Sequence, residues 1–250
     1  HEGEIMQAVL SKEVTFKGNY DPLTLYRALR LINPSPYMFY MSFDKFNVIG
    51  ASPEILVQQQ NDKVTIRPIA GTRKRGPNDS EDLANKIDLL QDDKEKAEHM
   101  MLVDLARNDL SKVSETGTVQ VDEMMVIEKY SHVMHMTSNV IGEKKPSATS
   151  VDCLKAALPA GTLSGAPKIR AMEILSAHEN RIRGIYGGSV GYIGFNGTLD
   201  TAIVIRTAIH TKDSVKVGVG GGIVYDSIPK NEWHETESKL AVFREALKYK

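Results

Sequence analysis

Asp93-Lys-Glu-Lys-Ala-Glu-His-Met-Met-Leu-Val-Asp-Leu-Ala-Arg-Asn-Asp109 reads as a helix. Apolar residues at Ala97, Met101, Leu102, Leu105 and Ala106 recur at helical spacing, and no Gly or Pro interrupts the run. Glu95 and Glu98 are three apart, so both carboxylates project from one face. Like charges so placed repel unless something positive sits between them. The device recurs near the other end. Asn231-Glu-Trp-His-Glu-Thr-Glu-Ser-Lys239 follows Pro229 and opens a second predicted helix, with Glu232 and Glu235 again three apart. Two helices that each offer a carboxylate pair suit one hard divalent cation. Mg²⁺ takes oxygen ligands, keeps several waters and lets substrate oxyanions complete its shell. The alternative is four solvated surface glutamates, since such pairs are common on exposed helix faces.

Composition narrows the surroundings. The 250 residues suffice for one large domain or two small ones and can bury a sizeable core. With 31 basic against 32 acidic side chains, no charge field points to a nucleic-acid or membrane partner. No run of about 18 apolar residues, the length of a membrane span, is present. No signal peptide is visible. The single cysteine, Cys153, excludes an internal disulfide and fits a reducing, cytoplasmic setting. The chain opens directly in strand-like sequence at Gly3-Glu-Ile-Met-Gln-Ala-Val-Leu-Ser11, which predicts a fragment without its natural N-terminal part.

In order, the patterns predict a strand over 5–16 and a helix from Pro22, capped by Asp21, with Leu23, Tyr26, Ala28, Leu29 and Ile32 as its apolar face. Strands over 37–43 and 47–51 follow, then a hairpin of 55–59 with 63–69 across Asn61-Asp62. Residues 67–77 read as a basic, glycine-flanked loop, and 80–108 as one helical stretch holding the first acidic pair. Strands over 117–127 and 133–140 precede a helix over 151–158. His132 and His135 are an odd number apart, so on a strand only one points into a site; the ordinary role of such a histidine is structural. A small-residue loop, 160–166, leads to a helix opened by Pro167, whose N–H groups favour an anion or simply form a tight turn. A hairpin joins 186–195 to 198–210 across Asn196-Gly197. Arg206, in so apolar a strand, needs a partner: a ligand carboxylate or a structural Asp. A strand over 214–219 runs into Gly220-Gly221-Gly222, where a backbone can approach a ligand closely. A helix over 231–249 closes the chain.

Five separated strings, in order, resemble one family. They are Pro68-Ile-Ala-Gly-Thr-Arg73, Lys94 to Asp109, Pro159-Ala-Gly-Thr-Leu-Ser-Gly-Ala-Pro-Lys-Ile-Arg-Ala-Met-Glu173, Asp200-Thr-Ala-Ile-Val-Ile-Arg-Thr207 and Gly220-Gly-Gly-Ile-Val224. Across essentially the whole chain the sequence resembles the catalytic portion of the large component of anthranilate synthases, within the chorismate-utilising enzymes. The resemblance implies an α+β fold, antiparallel sheets packed face to face with flanking helices, and a single chorismate-binding catalytic domain over 1–250. It implies Mg²⁺ held by Glu95, Glu98, Glu232 and Glu235, some through water. Lys239 would add a cation beside the ring carboxylate of chorismate. Arg206 and Tyr186 match the family's grip on the enolpyruvyl carboxylate. Gly220, Gly221, Gly222 and Thr162 match its backbone and hydroxyl donors. Glu54 matches the general acid for loss of the ring hydroxyl, and His135 the histidine beside that departing group.

The nucleophile is read from Gln7 and Ala70, with Gly71 and Thr72 beside the latter. Water-using members carry Lys where this chain has Gln7, and aminodeoxychorismate synthases often carry Lys where it has Ala70. The pair therefore matches the anthranilate type, in which ammonia from a partner glutamine amidotransferase adds to the ring and pyruvate is eliminated. Val219-Gly-Gly-Gly222, Trp233 and Leu240-Ala-Val-Phe243 depart from the commonest such ending and resemble aminodeoxychorismate synthases, which keeps that product as the alternative. Asn33-Pro-Ser-Pro-Tyr-Met38 matches one part of the family's tryptophan inhibitor site; the resemblance implies that the other part belongs to an N-terminal region expected to precede this stretch in usual members. Two other classes compete: a metal-dependent phosphohydrolase built on the four glutamates, and an inert fragment or interaction subunit.

Overall fold

The structure is a computed structural model that describes residues 2–130 and 133–249. In chain order the elements are β1 (Gln7–Lys17), α1 (Pro22–Ile32), β2 (Tyr37–Ser42), β3 (Asn47–Ser52), β4 (Ile55–Gln60), β5 (Lys63–Ile66), β6 (Ile69–Lys74), α2 (Asp79–Gln91), α3 (Asp93–Ser111), β7 (Gln120–Lys129) and β8 (Val133–Glu143). Then come α4 (Ser150–Ala157), α5 (Gly161–Ser164), β9 (Gly165–Ala166), α6 (Lys168–His178), β10 (Ser189–Ile193), β11 (Leu199–Ile203), β12 (Thr207–Thr211), β13 (Ser214–Ile223) and α7 (Pro229–Ala246). The expected α+β class, antiparallel sheets with helices, is what the chain forms. It divides into two compact units, each built from separated segments.

The first unit comprises 1–53, 162–190 and 202–250. Its sheet runs β2-β3-β12-β13-β1-β9. Val215, Val217 and Val219 alternate along β13 and are buried with Leu25, Leu29, Leu240 and Phe243 of α1 and α7. That is the period-two pattern of a strand with one face covered. Asp21 caps α1 by accepting from Thr24 N–H at 2.6 Å, with Pro22 at the first helical position. The helix rests on Leu25, Ala28 and Leu29, while Leu23, expected on that face, is exposed.

The second unit comprises 54–161 and 191–201. Its seven-stranded sheet runs β10-β11-β4-β5-β8-β6, with β7 also pairing β8. Helix α3 buries His99, Leu102, Val103, Ala106 and Leu110. The covered face is therefore rotated from the one expected: Ala97 is exposed, Met101 and Leu105 half-buried. A polar residue, His99, takes a core position and hides the pattern.

Four expectations are corrected. Residues 69–74 are no loop but strand β6, paired with β8 and shifted in register between Ala70 and Thr72; the pairing comes from the distant strand, which local composition cannot report. The stretch 80–108 is two helices, broken at Asp92, whose carboxylate caps α3 by accepting from Lys94 and Glu95 N–H, both at 3.1 Å. The loop 160–166 holds the short α5 and β9. The strand 198–210 is two strands in two sheets, β11 and β12, and Arg206 between them has a left-handed backbone, φ 48°. His132 lies outside the described residues.

Candidate active site

In the first unit the glycines of β13 are not an open loop. They pair with β1, Gly220 opposite Ser11, Gly221 opposite Leu10 and Gly222 opposite Val9. Alternation sends Gly220 and Gly222 to one face and Gly221 to the other. A β-carbon at Gly220 would lie 2.7 Å from the Tyr186 hydroxyl, and one at Gly222 would collide with Gln7 Nε2. Tyr186 and Gln7 thus occupy space that only glycine leaves. A β-carbon at Gly221 would lie 3.9 Å from Glu232 Oε2, so that carboxylate sits over the strand from α7. Lys239 Nζ donates to Glu235 Oε1 at 2.6 Å and to Gly220 C=O at 2.8 Å. It ties Glu235 to the glycine strand.

Tyr186 and Arg206 come from two segments laced together by Gly187 N–H to Val204 C=O and Val204 N–H to Gly188 C=O, each 2.9 Å. Both side chains are half-buried. Two buried oxygens in this unit, Gln7 Oε1 and Thr162 Oγ1, have no hydrogen-bond partner. A buried unsatisfied polar atom is costly, and both belong to residues singled out from sequence.

In the second unit, β6 organises the rest. Gly71 has φ 68°, a conformation that suits glycine, at the register shift of the strand. His135 Nδ1 lies 3.2 Å from Gly71 C=O and 3.0 Å from Thr72 Oγ1. A carbonyl only accepts, so the bond to Gly71 puts a proton on Nδ1. The Tyr130 ring meets His135 edge-on, 5.6 Å between centroids. Burial, with Glu128 beside it, pushes the Tyr130 phenol up to about 12, so it packs as a neutral ring. Glu54 is half-buried just ahead of β4, and Ala70 pairs with Met136 of β8.

Glu95 and Glu98 are both half-buried on α3. Glu95 Oε1 accepts from Arg73 Nη1 at 3.2 Å, and a β-carbon at Gly71 would lie 3.2 Å from Glu95 Oε2. Arg73 also donates to Asp88 at 2.6 Å and Asp92 at 2.8 Å. Asp88 above all raises the guanidinium further beyond its usual range. The Glu95 backbone N–H first, then Arg73, holds the Asp92 carboxyl below its ordinary value. Next to Glu98, His99 is buried against Ser138 Oγ at 2.7 Å, and burial lowers its imidazole to about 4, so it stays neutral.

The four expected metal ligands are all carboxylates, oxygen donors of the kind Mg²⁺ takes. In chemistry they fit that ion. They lie two in each unit, and among the described residues no group of three or more His, Cys, Asp or Glu is placed to hold a metal. Sequence reasoning missed Arg73 as a hub, Tyr130 beside His135 and the burial of His99. Only the first had a signal, the basic run of 67–77.

An antiparallel sheet in each unit, a glycine strand walled by Gln7 and Tyr186, and helix-borne carboxylate pairs define the class. The chain belongs to the chorismate binding enzyme family, whose model matches residues 1–245. It is 53% identical over 248 residues to anthranilate synthase component 1 of Aquifex aeolicus, covering 98% of this chain and 50% of that protein. Among solved structures, anthranilate synthase component I of Streptococcus pneumoniae superposes with TM-score 0.90 at 47% identity, over 97% of this chain and 54% of that one. The menaquinone-specific isochorismate synthase of Escherichia coli superposes with TM-score 0.89 at 27% identity, over 98% and 57%. The chain spans about half the length of the curated relatives it matches. Among the described residues no helix is long and apolar enough to cross a membrane.

Proposed function

We propose that residues 1–250 act as a chorismate-binding catalytic domain of the anthranilate type. It converts chorismate and ammonia to anthranilate, pyruvate and water in tryptophan biosynthesis, in the cytoplasm. Glutamine, through a partner amidotransferase subunit, supplies the ammonia. The likeness to component 1 proteins, about twice as high as to the isochorismate synthase, supports this reading. The observation that carries it is Gln7. An amide has no protonation equilibrium near neutral pH and cannot activate water as a base. Its buried Oε1 lacks a partner, which suits an N–H donor arriving as nucleophile.

Arg206 and Tyr186 bind the enolpyruvyl carboxylate, the arginine by charge-assisted hydrogen bonds. Thr162 and the glycine strand supply further contacts, and Lys239 adds positive charge at the ring carboxylate. Glu54 gives its proton to the departing ring hydroxyl, a poor leaving group unless protonated. His135 stands at the same end of the reaction, with Nδ1–H spent on Gly71 and Nε2 holding the lone pair that takes up a ring proton when pyruvate leaves. Ala70 offers no amine, so no covalent adduct with the ring forms at that position. Glu95, Glu98, Glu232 and Glu235 would hold Mg²⁺, which when bound anchors the ring carboxylate and offsets charge developing beside it.

Mass spectrometry of products from chorismate, Mg²⁺ and an ammonium salt tests the proposal. Equal anthranilate and pyruvate are expected. Accumulated 4-amino-4-deoxychorismate without pyruvate would transfer the chain to the aminodeoxychorismate type. Isochorismate or salicylate formed without ammonia would overturn the reading of Gln7.

A further inference from the structure

Arg73 makes four side-chain hydrogen bonds in the second unit. Its guanidinium reaches three carboxylates from three places: Asp88 on α2, Asp92 at the junction of α2 and α3, and Glu95 on α3. Nη1 also donates to the Thr72 carbonyl at 3.1 Å, which holds the planar fork against its own strand. Asp92 serves twice. Oδ1 caps α3 through the Lys94 and Glu95 N–H groups, and Oδ2 takes Arg73 Nη2. The carboxylate that fixes where α3 begins thus also fixes the cation that holds Glu95. Glu95 is then pinned through Oε1, while Oε2 lies over the bare α-carbon of Gly71. Glu98, one turn on, lies 3.9 Å from Lys94 Nζ.

We propose that Arg73 is a positioning residue for metal binding: it fixes one oxygen of Glu95 so that the other is presented, already oriented, to the cation. The proposal rests on the reading of Glu95 and Glu98 as Mg²⁺ ligands. Groups that orient a ligand from behind typically change metal affinity 10- to 100-fold when removed. The opposite role, mere charge compensation, predicts the opposite sign. A cation near a metal site repels the metal, so deleting it would tighten binding.

Titration of the purified chain with Mg²⁺ alone, followed by calorimetry and by the shift in melting temperature, separates the two. Arg73→Gln is expected to weaken Mg²⁺ about 10-fold or more. Arg73→Lys keeps the charge but loses the fork, and it too is expected to bind Mg²⁺ more weakly than wild type while melting cooperatively. Should Arg73→Gln fail to fold, Arg73→Lys decides alone. Unchanged or tighter Mg²⁺ binding in a folded variant overturns the proposal. Glu98→Gln is the control for the metal reading itself. If it binds Mg²⁺ like wild type, or wild type shows no saturable binding, the ligand assignment fails and the positioning role with it. If Glu98→Gln loses the ion while both Arg73 variants keep it, the ligands stand and only the role of Arg73 falls.

Discussion

The acidic pairs of α3 and α7 are the same sequence device in two settings. On α3, Glu95 is half-buried, clamped by an arginine that two further carboxylates hold, and the helix start is capped by one of them. On α7 the first turn has no side-chain cap, Glu235 is half-exposed, and its partner is Lys239 one turn away on the same helix. Arginine presents a rigid fork, lysine a mobile point charge. Glu95 is therefore held by a planar fork and Glu235 by a single ammonium, so if a metal binds, the first is preset and the second is the one to adjust. In both units a carboxylate oxygen lies over a strand glycine, Glu95 over Gly71 and Glu232 over Gly221. The glycines differ as the pairs do: one has a left-handed backbone and a tight contact, the other neither.

The largest effect should come from breaking each pair. Glu98→Gln and Glu235→Gln keep size and lose charge, and each is expected to lower turnover of chorismate more than ~100-fold, the upper end of what losing metal support costs. Circular dichroism should be unchanged. Anthranilate fluorescence at saturating Mg²⁺ is the measurement. Loss of activity in one variant only would show that the pairs are not equivalent ligands of one ion.

A smaller contrast lies in the glycines. Gly71→Ala puts a β-carbon 2.9 Å from Leu89 and 3.2 Å from Glu95 Oε2, at φ 68°. The backbone alone costs about 1–2 kcal/mol, and the contact displaces the carboxylate that Arg73 sets. Gly221→Ala meets Thr236 at 3.8 Å and Glu232 at 3.9 Å, ordinary van der Waals distances. It should melt like wild type and bind Mg²⁺ equally well. Thermal melts with and without Mg²⁺ check both. An innocuous Gly71→Ala would remove the distinction between a preset and an adjustable pair.

Much of this contrast was legible and its cause was not. Both helices declared themselves by apolar spacing and by glutamates three apart, and Asp21-Pro22 with the apolar face behind it announced α1. The environment of each pair came from residues distant in sequence. Arg73 lies 15, 19 and 22 positions from its three carboxylates, in a run whose basic composition suggests a solvated turn. Pairing with β8 makes it a strand, and no local pattern carries that. The break at Val204–Arg206 was hidden for the opposite reason: alternation continues smoothly across it, although β11 and β12 lie in different sheets. The glycines of β13 were recognised, but only the register with β1 shows that they serve two faces.

The smallest effect on turnover should come from a carboxylate that structure has consumed entirely. Asp82 on α2 is buried; Arg75 Nε and Nη2 donate to it at 2.8–2.9 Å and 2.5 Å, Gly76 N–H at 2.7 Å, and Lys129 adds an ion pair at 3.2 Å. Arg75 above all, then the Gly76 N–H, holds its carboxyl well below the usual value of 3.8. The folded state therefore binds this proton less readily than the unfolded chain. The stability it brings is complete above the unfolded value and drains as the pH falls below it, over a range of about pH 5 to pH 2. Asp82→Asn leaves Arg75 and Lys129 facing an amide, so its urea midpoint at pH 7 should fall. Its midpoint should then change less than that of wild type on acidification, since the titrating group is gone. Turnover at pH 7 should stay near wild type wherever the variant is folded, because the hydrogen bonds and ion pairs of Asp82 go to Arg75, Gly76 and Lys129 and not to the four proposed metal ligands. Equal acid dependence in the two proteins would assign the acid loss to other carboxylates, Asp92 first among them because its carboxyl is lowered in the same way. A collapse in Mg²⁺ affinity would show instead that the structural and the functional carboxylates of this unit are one network.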